Sequence, residues 1–341
     1  MASRRVVVVG TGAWGTALGL ALNRAGCHVT LLPKFPDEKK ALQSARRSEV
    51  LNVEFPEKLD IGPCFDRISE GTAAYDELFQ VMSGAEAVFW AIPVPYTAAT
   101  AQELKSLIHH SIPIVICSKG LVWDQSKQQG RLISEELQTV FENQFCALSG
   151  PNFANEVARG EFAAATLSSF DVNVGRDVAA LINSSSFRVY MNRDVVGTQV
   201  AGALKNVLAI ACGFISGLDM GQNTKAVIFD LGLSEIIAFV QKCGGAATTL
   251  LGLGGIADMS MTCFCDESRN KTFGIRVGQG ESIEALSRTI RSEGFYSVRP
   301  AYFMARNFGI QTPVIDAVYN VLFCGCAPAP SIRSLLKGAQ A

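Results

Sequence analysis

Lys205 and Asn206 interrupt an otherwise apolar run, Val-Ala-Gly-Ala-Leu before them and Val-Leu-Ala-Ile-Ala after. A buried ammonium without a partner is costly, so such a pair inside an apolar helix demands company. One reading is a lysine whose stem lies on apolar surface while its head reaches water at a domain seam. The other is a lysine at a cleft, its pKa lowered by burial or by nearby cations, able to give a proton to a developing alkoxide. Gly254-Gly255-Ile256-Ala257-Asp258 places a carboxylate after a glycine-rich turn. Asp258 is either a helix N-cap or a group that orients and balances an active-site lysine, and spacing alone does not choose. Ser268-Arg269-Asn270-Lys271 gathers a guanidinium suited to bidentate phosphate contact, neutral donors and a point charge. A solvated loop is the commoner fate of such a cluster.

A second chemical signal lies near the N-terminus. Val6 to Val9 form a strand-like run, and Gly10, Gly12 and Gly15 follow with G-x-G-x-x-G spacing. Gly10 allows a tight turn, Gly12 lets backbone approach a pyrophosphate, and Gly15 lets helix and strand pack closely. A helical run, Ala17 to Ala25, follows directly, and its start supplies free N–H groups and partial positive charge for a diphosphate. A second strand, His28 to Leu32, arrives at βαβ spacing. The strand, loop and helix together predict a dinucleotide site. An acid at the end of the second strand would bind the adenosine ribose and favour NAD. Leu31-Leu32-Pro33-Lys34 instead offers Lys34 to a 2′-phosphate, which makes NADP plausible.

These groups need a scaffold. The first half alternates apolar strands with helical segments: Ala87 to Pro93, Ile112 to Cys117 followed by Ser118-Lys119-Gly120, and Phe145 to Ser149 followed by Gly150-Pro151-Asn152, with Phe162 to Ser168 and Phe187 to Tyr190 as added strands. The pattern predicts an α/β Rossmann domain with a mostly parallel, doubly wound sheet. Ligands collect beyond the carboxyl ends of such strands, so Pro93, Lys119 and Asn152 are expected on the rim that carries the glycine loop. Lys119 is otherwise a surface lysine. From about Asp194 helical patterns dominate: Gly197 to Gly217, Asn223 to Lys242, Ser282 to Ser292, Ser297 to Asn307 and Thr312 to Leu322. The reading is a Rossmann domain over residues 1–193, then an all-α helical domain over 194–341.

Bulk properties narrow the function classes. The 341 residues exceed what one ordinary core uses, and 48% hydrophobic against 18% charged content supplies a large core. A net charge of −1 removes any general electrostatic case for nucleic acid or an anionic membrane. No secretory signal is visible, because the glycine-loop strand begins almost at the N-terminus. Val200 to Ile215, the most apolar window, contains Lys205 and Asn206 and reads as a buried helix, too short and polar for a membrane span. The ten cysteines, including the C-x-C pairs Cys263/Cys265 and Cys324/Cys326, read as small buried hydrophobes in a reducing cytosol, with no metal site. Only three histidines are present, none beside a promising polar group, so lysine or carboxylate chemistry is expected.

Taken as a set, these motifs resemble NAD(P)-dependent sn-glycerol-3-phosphate dehydrogenase in its bacterial form, over nearly the whole chain. The resemblance rests on Gly10-Thr11-Gly12-Ala13-Trp14-Gly15-Thr16-Ala17-Leu18, Ser118-Lys119-Gly120, Gly150-Pro151-Asn152-Phe153-Ala154, Gly202-Ala203-Leu204-Lys205-Asn206, Asp258 to Thr262-Cys263, Ser268-Arg269-Asn270 and Glu293-Gly294. It implies a Rossmann domain joined to a helical one, in a cytoplasmic homodimer that makes a glycerophospholipid precursor. It implies that Lys205 is the general acid/base, Asp258 its partner, and Lys119 a catalytic neighbour touching substrate near the nicotinamide. Gly150, Asn152, Asn206, Ser268, Arg269 and Asn270 would hold the substrate, dihydroxyacetone phosphate or sn-glycerol 3-phosphate. Ala13, Trp14, Lys34, Pro93, Ala154, Arg291 and Glu293 would line the cofactor site with the loop glycines, and Lys119 and Arg269 would lie near it.

The chain departs from the family pattern at Asn152 (usually Ser or Thr), Gln199 (usually Glu), Asp230-Leu231 (usually Thr-Arg) and Arg291 (usually small and apolar). The departures touch substrate affinity and cofactor preference more than reaction class. They leave two alternatives: a related Rossmann-plus-helical reductase acting on another hydroxy acid or phosphate ester, and a dinucleotide sensor without turnover.

Overall fold

The computed structural model describes residues 4–66 and 68–338. It separates into two compact units, Met1–Ser118 with Ser134–Val195, and Lys119–Ile133 with Val196–Ala341.

The first unit is built on eight strands: β1 (Arg5–Val9), β2 (His28–Leu32), β3 (Leu59–Ile61), β4 (Ala87–Trp90), β5 (Ile114–Ile116), β6 (Phe145–Ser149), β7 (Ala163–Ser169) and β8 (Phe187–Asn192). Their order across the sheet is β8-β7-β6-β5-β4-β1-β2-β3. Every neighbouring pair is parallel except β6 and β7. The valines of β1 are buried, as a strand covered by helices on both faces requires. From β1 the chain builds outward through β2 and β3, then returns to start β4 on the other side of β1. That reversal is the topological switch point, where open α/β sheets bind ligands. The glycine loop occupies it.

Between β2 and the helix Ala73–Ser83 lie a helix (Pro36–Ala45), a short hairpin (Arg47–Ser48 with Val53–Glu54) and the edge strand β3. Their apolar residues are sparse, so periodicity gave no signal.

Among the described residues, the second unit is helical apart from one hairpin. Its core surrounds α2 (Val195–Gly217), which is long and apolar enough to cross a membrane by length and composition, yet 89% of its most apolar window is buried. The sequence expectation that this stretch is too short is therefore corrected: the helix has 23 residues, and packing explains its apolarity. Three further helices carry the polar residues of interest: α3 (Asp258–Phe264), α4 (Arg269–Gly278) and α5 (Glu293–Phe308). α2 and α4 pack backbone against backbone. A Cβ on Gly213 would lie 2.4 Å from the Lys271 carbonyl oxygen, and one on Gly274 would lie 2.2 Å from that of Ile210. This close approach sets Asn206 beside Asn270.

The division of the chain has a further feature, and one expectation, of buried cysteines, is corrected. Residues 119–133 group with the helical unit rather than with the sheet. The hairpin Val122–Asp124 with Gln129–Arg131 lies against α5, where the Leu121 amide donates to Ser297 Oγ at 3.4 Å and Gly130 fits close to the Pro300 carbonyl. From Val195 onward the described elements are all helices, as the sequence reading expects. Cys324 and Cys326 are exposed rather than buried, because they follow the end of helix Pro313–Phe323. Among the described residues no group of three or more His, Cys, Asp or Glu could hold a metal ion.

Candidate active site

Within the second unit, one fully buried carboxylate holds two ammonium groups. Asp258 has no exposure; its Oδ1 lies 2.5 Å from Lys205 Nζ and its Oδ2 lies 2.8 Å from Lys119 Nζ. The Lys205 ammonium also donates to Thr262 Oγ1 at 2.8 Å, while the Thr262 hydroxyl donates to the Asp258 carbonyl at 2.6 Å. An ammonium has three N–H donors. Among the described residues, the partners of Lys205 account for two. Lys205 is 5% exposed and the Lys119 side chain 17%, so the pair grades from interior toward solvent.

The local chain explains this placement. Gly255 adopts a non-helical conformation in the turn Leu253–Ala257, and a Cβ there would lie 2.1 Å from the Leu250 carbonyl oxygen. The turn leads directly into α3 with Asp258 as its first residue, and Thr262 lies one turn later on the same face. Asp258 is therefore not an N-cap but a first-turn acid, where the helix dipole favours negative charge.

The electrostatics follow from burial. Desolvation lowers the Lys205 pKa, the attraction of Asp258 partly offsets it and Lys119 adds repulsion, with a net value of about 8. Burial alone would raise the Asp258 pKa, yet Lys119 and Lys205 outweigh it and hold the carboxyl below its usual range. With both lysines protonated the trio carries one net positive charge, and proton transfer from Lys205 leaves it neutral. The Cys263 thiol beside this group is pushed well above its usual pKa by burial and by Cys212.

A chain of amides braces the site. Asn206 Nδ2 donates to the Lys119 carbonyl at 3.2 Å, and Asn206 Oδ1 accepts from Asn270 Nδ2 at 2.9 Å. Asn270 Oδ1 accepts from Ser292 Oγ at 2.8 Å and from the Gly294 amide at 3.0 Å. Ser292 was not anticipated. It caps α5 by accepting from the Phe295 amide at 3.2 Å, a helix-start signal readable in the sequence. Ser268 caps α4. Arg269 is exposed at the first position of α4, and among the described residues no hydrogen bond or ion pair holds it. Lys271 turns the other way, donating to the Phe264 carbonyl at 2.8 Å and to Asp266 at 2.7 Å, and so closes the preceding loop rather than joining the cluster. Glu293 is the first residue of α5, and Arg291 is exposed just before it.

The first unit holds the remaining expected residues. Gly10 has φ of 108°, and a Cβ on it would lie 2.9 Å from the Ala91 carbonyl oxygen. A Cβ on Gly15 would lie 2.1 Å from the Gly10 carbonyl oxygen. Gly12 differs: it is exposed, it begins α1 (Ala13–Arg24) with no side-chain cap, and a Cβ there would meet no atom within 4 Å. Space and free helix-start amides at one point fit a dinucleotide pyrophosphate. Trp14 donates its indole N–H to the Cys117 carbonyl at 3.1 Å. Pro93 follows β4 at the start of a short turn, and Ala154 begins helix Ala154–Arg159. Gly150 is wedged against the Ala164 carbonyl, 2.7 Å from where its Cβ would stand. Asn152 Nδ2 donates to the Pro151 and Ala164 carbonyls at 3.0 Å each, and its buried Oδ1 has no partner among the described residues. Lys34 is not free for an anion, since its ammonium lies 2.9 Å from both oxygens of Glu103. Gln199 is buried in α2, and Asp230 is exposed.

Comparison with known proteins agrees with this architecture. A family model described as NAD-dependent glycerol-3-phosphate dehydrogenase N-terminus matches residues 5–174, and its C-terminus counterpart matches 194–333. The glycerol-3-phosphate dehydrogenase [NAD(P)+] of Actinobacillus pleuropneumoniae serotype 5b is 34% identical over 333 residues, covering 95% of this chain and 94% of the relative. That of Koribacter versatilis is 33% identical, covering 98% and 97%. The crystal structure of glycerol-3-phosphate dehydrogenase from Coxiella burnetii superposes with a TM-score of 0.87 at 29% identity, covering 98% of this chain and 99% of that one. A ketopantoate reductase from Ralstonia eutropha, with a TM-score of 0.57 at 16% identity, shares the fold alone. The chain belongs to the NAD-dependent glycerol-3-phosphate dehydrogenase family.

Proposed function

We propose that this protein reduces dihydroxyacetone phosphate to sn-glycerol 3-phosphate, and catalyses the reverse oxidation, with Lys205 as the proton-transferring residue. The observation that carries the reading is the buried Lys205 ammonium, fixed by Asp258 and Thr262, with a pKa of about 8. A group with that pKa serves both directions near neutral pH. NAD or NADP supplies or accepts the hydride when bound. Gly10, Gly12, Gly15 and the first amides of α1 would hold its pyrophosphate, with Ala13, Trp14, Pro93 and Ala154 nearby.

In reduction, the substrate carbonyl oxygen accepts a hydrogen bond from Lys205. As hydride adds to the carbonyl carbon, the C=O π pair moves to oxygen and takes the Lys205 proton. Asp258 keeps its negative charge throughout and fixes the ammonium by its Oδ1. Lys119 offers a second positive charge to the developing alkoxide. Arg269 grips the substrate phosphate, helped by the remaining N–H of Asn270. Binding energy at that remote group positions the carbonyl, so it supports turnover as well as affinity. The sensor alternative leaves this proton-donor geometry without a use. In this reading the enzyme is a cytoplasmic homodimer that supplies a glycerophospholipid precursor, as the resemblance stated above implies.

Steady-state kinetics with dihydroxyacetone phosphate and each reduced cofactor test the reading. Saturable oxidation of the cofactor is expected. Turnover of other carbonyl compounds but not of this one would overturn it.

A further inference from the structure

The end of β2 does not use Lys34 as a free cation. Lys34 Nζ lies 2.9 Å from Glu103 Oε1 and 2.9 Å from Oε2, and it sits 5.7 Å from the centre of the Phe65 ring. Each partner of that ion pair is 25% exposed. Glu38, in the first turn of helix Pro36–Ala45, reaches back toward the glycine loop. Its Oε1 accepts from the Thr11 hydroxyl, and its Oε2 accepts from the Lys34 backbone N–H at 3.3 Å. One carboxylate therefore ties Thr11, between Gly10 and Gly12, to the end of β2.

We propose that Glu38 reads the adenosine ribose and makes this chain select NAD(H) over NADP(H). The inference rests on the dinucleotide reading of the glycine loop given above. With the pyrophosphate at Gly12 and the start of α1, the adenosine ribose falls toward the end of β2. An ionised carboxylate only accepts hydrogen bonds and has about four lone-pair sites. Thr11 and the Lys34 amide use two of them, which leaves room for the ribose hydroxyls. A 2′-phosphate in the same place brings like charge against Glu38. Lys34 cannot neutralise it without releasing Glu103, and Lys34, Glu38 and Glu103 together carry a net negative charge. Lys39, on the same helix, lies 4.0 Å from Glu77.

The test is isothermal titration of the full chain with ADP-ribose and with 2′-phospho-ADP-ribose, the adenosine-side portions of the two cofactors. The wild-type protein is expected to bind ADP-ribose tighter by about tenfold or more. Glu38→Gln should shrink that ratio by weakening ADP-ribose and strengthening the 2′-phosphate form. Glu103→Gln should free Lys34 and strengthen the 2′-phosphate form severalfold, with ADP-ribose nearly unchanged. A wild-type preference for the 2′-phosphate form, or a ratio unmoved by Glu38→Gln, would overturn the proposal, and the wild-type ratio needs no variant to fold. Failure of both ligands to bind would overturn the dinucleotide reading as well. Normal reduction of dihydroxyacetone phosphate alongside an unmoved ratio would overturn only the assignment of Glu38.

Discussion

Lys119 and Lys205 grip opposite oxygens of one buried carboxylate, at 2.8 and 2.5 Å. The residues are 86 positions apart by number, and only the regrouping of residues 119–133 with the helical unit brings them together. Two cations on one anion leave a local excess of positive charge where an alkoxide would form. Burial is what lowers the Lys205 pKa, and Lys119 adds to it against the larger pull of Asp258.

The pH dependence follows with a definite sign. With Lys205 as the proposed proton donor, reduction draws on its protonated form, so its rate should fall as pH rises through about 8. Oxidation needs the neutral amine, so its rate should rise through the same region. Stability moves too. The unfolded lysine keeps its proton up to its ordinary pKa of 10.5, so between about 8 and 10.5 the unfolded state binds more protons and this group makes the fold more stable as pH rises. Rate profiles in both directions, with substrate saturating, check the kinetic part.

Removing each neighbour should move that profile in opposite directions. Lys119→Met deletes a repelling charge and should carry the Lys205 titration upward. Asp258→Asn deletes the attracting charge and should carry it downward, with a large loss of turnover because Lys205 is no longer fixed. A profile that stays in place in both variants would mean that another group sets it.

Arg269→Ala should affect phosphorylated substrate far more than unphosphorylated dihydroxyacetone. A charge-assisted contact is worth about 1.5–3 kcal/mol, so kcat/KM for the phosphate ester should fall by about 10- to 150-fold or more. Equal losses with both compounds would show that Arg269 does not meet the phosphate.

Glu235 anchors the helical unit away from the site. Its two carboxyl oxygens accept from the Val314 and Ile315 amides, at 2.5 and 3.1 Å, at the start of helix Pro313–Phe323. Burial pushes its pKa up to about 8 against the pull of those amides. Glu235→Ala strands both buried donors and should cost about 2–5 kcal/mol, while cofactor binding at the glycine loop stays unchanged. Chemical denaturation checks the first part and cofactor titration the second.

The sequence was legible where one element carried the whole signal. Gly10, Gly12 and Gly15 form a contiguous motif, and their different jobs follow from local geometry. Lys205 stood out because charge inside an apolar helix needs a reason. Asp258 remained open between a cap and a lysine partner, because its partners lie far away in the chain. Lys34 read as a free cation because Glu103, which holds it, arrives from a helix 69 residues later. Glu38 had no periodic or spacing signal, since its direction toward Thr11 depends on how the helix Pro36–Ala45 leaves β2. The hairpin in 119–133 was missed because strands of three residues are too short for alternation to show.

The most direct test of the account is rapid mixing of cofactor-loaded wild-type and Lys205→Ala protein with dihydroxyacetone phosphate at neutral pH, following the absorbance of the reduced nicotinamide. Equal cofactor affinity in the two proteins is expected, with the reduction step about 10²–10⁴-fold slower in the variant. A variant that reduces the substrate at a rate near wild type would contradict Lys205 as the proton donor.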